Sequence, residues 1–132
     1  MKNKKKRGSD VERELLKIFE SMGGCGIRTA GSGSYGGKPD LLISFEGRIY
    51  AIEVKYTTTG KVSLRKDQVD SLIKFAEAFG AIPVLAIKIK RKGWWFINPR
   101  KLPKYYLKEE DIKELGYRFK QAKIVDYTSK NL

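Results

Sequence analysis

The sequence predicts a mixed α/β domain with helices packed on a central sheet, and three observations carry that expectation. A segment of helical apolar period opens the chain. Two short strand-like runs then meet at an acidic residue followed by glycine. A nearly unbroken apolar run comes after a second helical segment. The 132 residues suffice for one compact core that buries about two-thirds of the surface of the unfolded chain, without a disulfide or structural metal.

Residues 1–8 hold five cations and no apolar run, so they are expected to form a mobile basic arm ahead of a single domain over residues 9–132. The first helix is predicted over residues 9–22, with Val11, Leu15, Ile18, Phe19 and Met22 on one face and Gly23-Gly24 as its stop. Residues 27–30 read as a short strand, and 31–39 are too rich in glycine for regular structure. Strands over 40–45 and 48–55 follow, joined at Glu46-Gly47. After a loop over 56–61, a second helix is predicted over 64–79. Its buried stripe is Val69, Leu72, Ile73, Ala76 and Phe79, and Gly80 caps it. Residues 82–89 have the continuous apolar character of a strand covered on both faces. Gly93 turns the chain into a strand over 94–97, then come a short helix over 109–115 and an edge strand over 123–127.

Charge and composition narrow the function. Against 15 Asp and Glu stand 28 Lys and Arg, a formal charge of +13, which concentrates phosphate polymers and makes their binding salt-dependent. Ribosomal and membrane-surface proteins share that bias, so charge alone names no enzyme. Histidine is absent, which excludes Ser-His and Cys-His nucleophile pairs, a histidine base and any zinc site with histidine ligands. The single Cys25 is expected to be a buried apolar filler. There is no secretory h-region or membrane-length apolar run, and the expected location is the cytoplasm.

The hairpin carries the chemistry. If Glu46-Gly47 is a two-residue turn, Phe45 pairs with Arg48, Ser44 with Ile49, Ile43 with Tyr50, Leu42 with Ala51 and Leu41 with Ile52. The next pair is Asp40 with Glu53, and Lys55 shares their face two residues further on. Facing carboxylates repel unless a hard cation relieves them. Such a metal would polarise a phosphoryl oxygen, and Lys55 would orient water or stabilise developing charge. The bland alternative is a surface ion pair between Glu53 and Lys55, and the local pattern leaves both open. Glu12 has its own alternative, since Ser9-Asp10-Val11-Glu12 matches a capping box. Ser32 and Ser34 look locally like linker residues.

The chain resembles the archaeal Holliday junction resolvase family. The matching segments are Arg7-Gly8-Ser9, Glu12-Arg13-Glu14-Leu15, and Arg28-Thr29-Ala30-Gly31-Ser32-Gly33-Ser34. They continue with Pro39-Asp40-Leu41, Ile52-Glu53-Val54-Lys55, Gln68, Phe75-Ala76 and Phe79-Gly80, within residues 5–98. The resemblance implies a restriction-endonuclease-like fold and a homodimer whose two active sites make paired nicks that resolve a four-way DNA junction. It also implies Glu12, Asp40, Glu53 and Lys55 as catalytic residues, Ser32 as a catalytic-loop serine, and Glu12, Asp40 and Glu53 as ligands of Mg²⁺, with Mn²⁺ able to substitute. The Val54 carbonyl is implied as a further ligand. Under this resemblance Glu12 is read as a metal or water-positioning group instead of a cap.

Phosphate contacts are expected from Lys4, Lys5, Lys6, Arg7, Arg28, Lys38, Arg65 and Lys66, with Ser34 and Gln68 among the DNA-contacting residues. Trp94, Trp95, Phe96, Tyr105 and Tyr106 are expected in the core or a dimer contact in preference to stacking on bases. The segment after residue 98 is assigned only to packing or dimer contacts. Recruitment by replication or recombination proteins is compatible with such a role. The competing functions are a duplex- or flap-cutting nuclease of the same fold, a non-catalytic DNA-binding module, and an RNA-associated structural protein.

Overall fold

A computed structural model describes residues 4–29 and 37–119, with side chains in the first helix from residue 8 onward. The elements are α1 (Lys4–Ser21), β1 (Cys25–Arg28), β2 (Leu41–Phe45), β3 (Arg48–Thr57), β4 (Val62–Ser63) and α2 (Lys66–Phe79). They continue with β5 (Ile82–Ile89), β6 (Gly93–Ile97), a 3-10 turn at Pro99–Lys101, β7 (Tyr106–Leu107), α3 (Glu109–Leu115) and β8 (Tyr117–Arg118). Six strands form one sheet in the order β1-β2-β3-β5-β6-β8, and β4 pairs with β7 in a separate ribbon. Among the described strands only β3 and β5 run parallel, and the chain between them carries α2 across the sheet. The mixed sheet with helices on both faces is as the sequence predicts.

Alternation along the strands divides the core in two. Leu41, Ile43, Tyr50, Ile52, Val84, Trp94 and Phe96 pack against Val11, Leu15 and Phe19 of α1. On the opposite face, Leu85, Ile87, Trp95 and Ile97 meet Val69 of α2 and Ile112 of α3. Both tryptophans and Phe96 are therefore core residues, whereas Tyr106 is 47% exposed.

The hairpin register is the predicted one through Leu41 and Ile52. Glu46 and Gly47 have φ values of 50° and 80°, the left-handed pair that matches a two-residue turn to strand twist. Several boundaries differ from expectation. The first helix starts at Lys4, so Ser9 lies in its interior and the capping-box reading of Glu12 fails. Residues 62–63, between the expected loop over 56–61 and the helix expected from 64, form β4, because Tyr106 and Leu107 pair with them, and α2 starts at Lys66. Phe79 is 51% exposed rather than part of the buried stripe, and Cys25 is exposed on its edge strand rather than a buried filler. Tyr117 and Arg118 close the described sheet edge, a strand the sequence reading missed. The strand expected over 123–127, Ala30 and most of the glycine-rich stretch lie outside the described residues.

One polar cluster ties α1 to the sheet. Glu14 accepts from Lys88 Nζ at 2.6 and 2.8 Å and from Trp94 Nε1 at 3.0 Å. Glu14→Ala removes the partner of a half-buried ammonium, and the expected loss in urea unfolding is about 1–2 kcal/mol. Adding Lys88→Met should recover part of that loss, because the pair acts as a unit.

Candidate active site

Asp40 sits one residue before β2, where the ladder to β3 has ended, yet its position is fixed. Thr29 N–H donates to the Asp40 carbonyl at 3.0 Å, and the Thr29 hydroxyl donates to the Pro39 carbonyl. The Asp40 carboxylate in turn accepts the Val54 N–H at 2.8 Å, so the side chain takes the place of the next ladder bond. This brings Asp40 against Glu53, to which it is hydrogen-bonded. Lys55 follows with Nζ 3.8 Å from Glu53 Oε2. The three residues expected to share a face are together at one end of the sheet. Thr29 and the Val54 N–H were missed by sequence reading. Carrying the β1–β2 register one step beyond Arg28 and Leu41 would have found Thr29.

The electrostatics follow from burial. Desolvation pushes the Glu53 carboxyl up to about 8, with the Asp40 charge adding to the rise and Lys55 opposing it. Burial also raises Asp40, against the lowering effects of the Val54 N–H and Lys55. Both carboxyls are raised, so the pair as a unit gives up its protons less readily than an exposed pair would.

Glu12 approaches the same end from α1. Its Oε1 accepts Arg28 Nε at 3.3 Å and Nη2 at 3.2 Å. Burial raises Glu12, the charge of Asp40 raises it further, and Arg28 counters both. Among the described residues, no three Asp, Glu, Cys or His side chains converge as a ready-made metal cage. Asp40 and Glu53 nonetheless form a hard-oxygen donor pair whose charge state is destabilised, and that donor set fits a divalent cation.

Around this centre, Leu64, Arg65, Gln68, Leu72 and Pro99 wall a cleft beside Glu53 and Lys55. Arg65 pairs with Asp67 at 2.8 Å and Lys66 with Asp70 at 2.9 Å, both on the surface. Lys38 is exposed. Ser32, Ser34 and the side chains of Lys4, Lys5, Lys6 and Arg7 lie outside the described residues. Gly37, at φ 61°, approaches Ser71 so closely that a Cβ there would sit 2.7 Å from the serine Cβ, which pins the end of the loop to α2.

Fold and site define a restriction-endonuclease-like domain. The family model for archaeal Holliday junction resolvase (Hjc) matches residues 3–121, extending the likeness beyond residue 98 into the segment that carries β7, α3 and β8. The crossover junction endodeoxyribonuclease Hjc of Methanocaldococcus jannaschii is 36% identical over 136 residues, covering 96% of this chain and 98% of that protein. That of Archaeoglobus fulgidus is 38% identical over 116 residues, covering 85% of each. The solved structure of Archaeoglobus fulgidus Hjc, a Holliday junction resolvase, superposes with a TM-score of 0.75 at 31% identity, over 83% of this chain and 94% of that one. The chain belongs to the archaeal Holliday junction resolvase family.

The raised carboxyls make a stability prediction. With a folded-state pKa above the unfolded value, the folded protein binds more protons, so stability falls as pH rises from about 4.5 towards 8. Calorimetry of the metal-free protein should show Tm dropping by several degrees between pH 5 and 8. Glu53→Gln should flatten most of that slope and raise Tm at pH 8.

Proposed function

We propose that this chain is a crossover junction endodeoxyribonuclease that hydrolyses phosphodiesters in four-way DNA junctions, using Mg²⁺ or in its place Mn²⁺, and working as a homodimer that makes paired nicks. The observation that carries the reading is the juxtaposition of Asp40 and Glu53 with Lys55 in a member of this family. The ion would supply Lewis acidity at the phosphoryl oxygen and a bound water of lowered pKa. Asp40 and Glu53 would hold it, with the Val54 carbonyl on the same side of the strand as the N–H that already reaches Asp40.

Lys55, with Nζ 3.8 Å from Glu53 Oε2, would place its ammonium where negative charge grows on the phosphate. Arg28 keeps the Glu12 carboxylate oriented, ready to take a proton from an attacking water or to join the ligand set. Ser32 is assigned to the catalytic loop. Lys5, Lys6, Arg7, Ser34, Lys38, Arg65, Lys66 and Gln68 are assigned to the DNA, together with Arg28 where its guanidinium is not engaged by Glu12. Exposed pairs such as Arg65–Asp67 are weak enough to exchange for phosphate.

The second copy has a face to occupy. Phe79 stacks on Phe75 at 5.3 Å between ring centroids yet is 51% exposed. Ile27, 59% exposed, and Ile49, 40% exposed, lie on that side of the sheet. Exposed apolar side chains on one side of the sheet favour self-association. Among the described residues, no helix is long and apolar enough to cross a membrane.

Incubation of the protein with a synthetic four-way junction and a matched linear duplex in Mg²⁺ tests the activity. Symmetric nicks in the junction alone are expected. Asp40→Asn and Lys55→Ala should each lose at least 10²-fold in rate while retaining junction binding, on the scale of losing one electrostatic stabiliser. Duplex or flap cleavage at equal rate would identify a different nuclease of the fold. Phe79→Glu should convert a dimer to a monomer in light scattering and abolish paired nicking.

A further inference from the structure

The turn between β5 and β6, Lys90-Arg91-Lys92, lies outside every role assigned above. Parallel pairing sets Lys55 beside Ile87 and Thr57 beside Ile89, so the turn projects from the same sheet end as Lys55. Lys90, Arg91 and Lys92 are all exposed.

This turn is held in place rather than loosely solvated. Lys90 N–H donates to the Thr57 carbonyl at 2.9 Å, and Lys92 N–H to the Ile89 carbonyl at 2.9 Å. Arg118 lies over the Trp95 ring at 5.4 Å and donates to the Lys92 carbonyl at 3.1 Å. Lys92 Nζ bonds Glu109 at 2.7 Å, and Lys113 takes the same carboxylate oxygen at 2.8 Å. The nearby carboxylate is thereby occupied. Among the described residues, no ion pair joins Lys90 or Arg91 to a carboxylate. Arg91 also adopts φ 65°, a conformation that disfavours a long side chain and that glycine accepts readily. Its side chain is exposed, so packing does not offset that strain.

Across the Lys90–Thr57 bond stands a second ordered loop. Thr57 Oγ1 accepts from Gly60 N–H at 3.0 Å and donates to the Lys61 carbonyl at 2.9 Å, while the Lys61 side chain faces solvent.

We infer that Lys90 and Arg91, with Lys61 beside them, form a preformed phosphate seat for the duplex arm leading away from the cut. The inference rests on the junction-cleaving reading of the site. At about 3.3 Å per strand residue and a side-chain reach, the seat lies roughly 15 Å from Lys55, or about four base pairs along an arm. The contact is with backbone phosphates and carries no sequence preference.

The test is a double variant, Lys90→Ala with Arg91→Gly. Glycine relieves the left-handed φ, so the fold is retained and Tm stays equal or rises. Junction binding is measured by fluorescence anisotropy without divalent metal over a salt series. A Kd raised about tenfold is expected, together with a salt slope reduced by about two, as for two lost phosphate contacts. Single-turnover cleavage at saturating enzyme should stay within about twofold of wild type, because the chemistry at Lys55 is untouched. A Kd and slope equal to wild type overturn the seat and leave the nuclease reading intact. An equal effect from Lys17→Ala with Lys74→Ala, the same charge loss elsewhere on the surface, also overturns it. Wild type that binds junction no better than duplex sinks the junction reading, and the seat with it.

Discussion

Two half-buried carboxylates set against each other are the constraint on which the site depends. The core fixes the register that sets Asp40 opposite Glu53, and their desolvation and mutual repulsion work against folding at neutral pH. The structure sustains the conflict by over-determining the positions. A tight left-handed turn sets the register, Thr29 clasps the chain on one side of Asp40, and the Val54 N–H clasps its carboxylate on the other. The apolar faces of the hairpin, packed on α1 and α2, supply the stability that the polar end lacks. A site built on a strand pair in this way is positioned more closely than one carried by a loop.

Around that pair, the other residues proposed for function make contacts that can be exchanged. Glu12 arrives from a helix and is steadied by Arg28, a contact that either partner can leave if a phosphate competes. Surface cations at Arg65 and Lys66 are engaged with exposed aspartates in weak pairs. The division separates chemistry, which demands fixed geometry, from gripping a broad polyanion, which demands adjustable contacts.

How much of this was legible in the sequence depended on whether local signals were sufficient. The hairpin register was legible because an acidic-glycine turn and period-two burial agree, and a slip of one residue would have turned Ile43 and Ile52 to the wrong face. Strand β5 was legible because a continuous apolar run allows little else. The short strands β4 and β8 were not, since two-residue ribbons exist only through partners distant in the chain. Phe79 misled because helical period placed it beside Ala76 and Leu72, yet it is half exposed where those two are buried. Glu12 was ambiguous for a similar reason, because a capping motif is a local pattern and the helix simply continues through it. The positions of Asp40, Glu53 and Lys55 came from geometry, but their assignment to one reaction came from the family resemblance.

On the proposed reading, a divalent cation bound by Asp40 and Glu53 displaces the proton that their raised carboxyls retain at neutral pH. Calorimetric titration of Mn²⁺ into the protein at pH 7, repeated in two buffers of different ionisation enthalpy, counts the protons released on binding. The account predicts release approaching about one proton per site, diminishing towards pH 9 as the pair ionises on its own, with binding lost in Asp40→Asn. Metal binding that releases no proton at pH 7, or that survives Asp40→Asn unchanged, would contradict it.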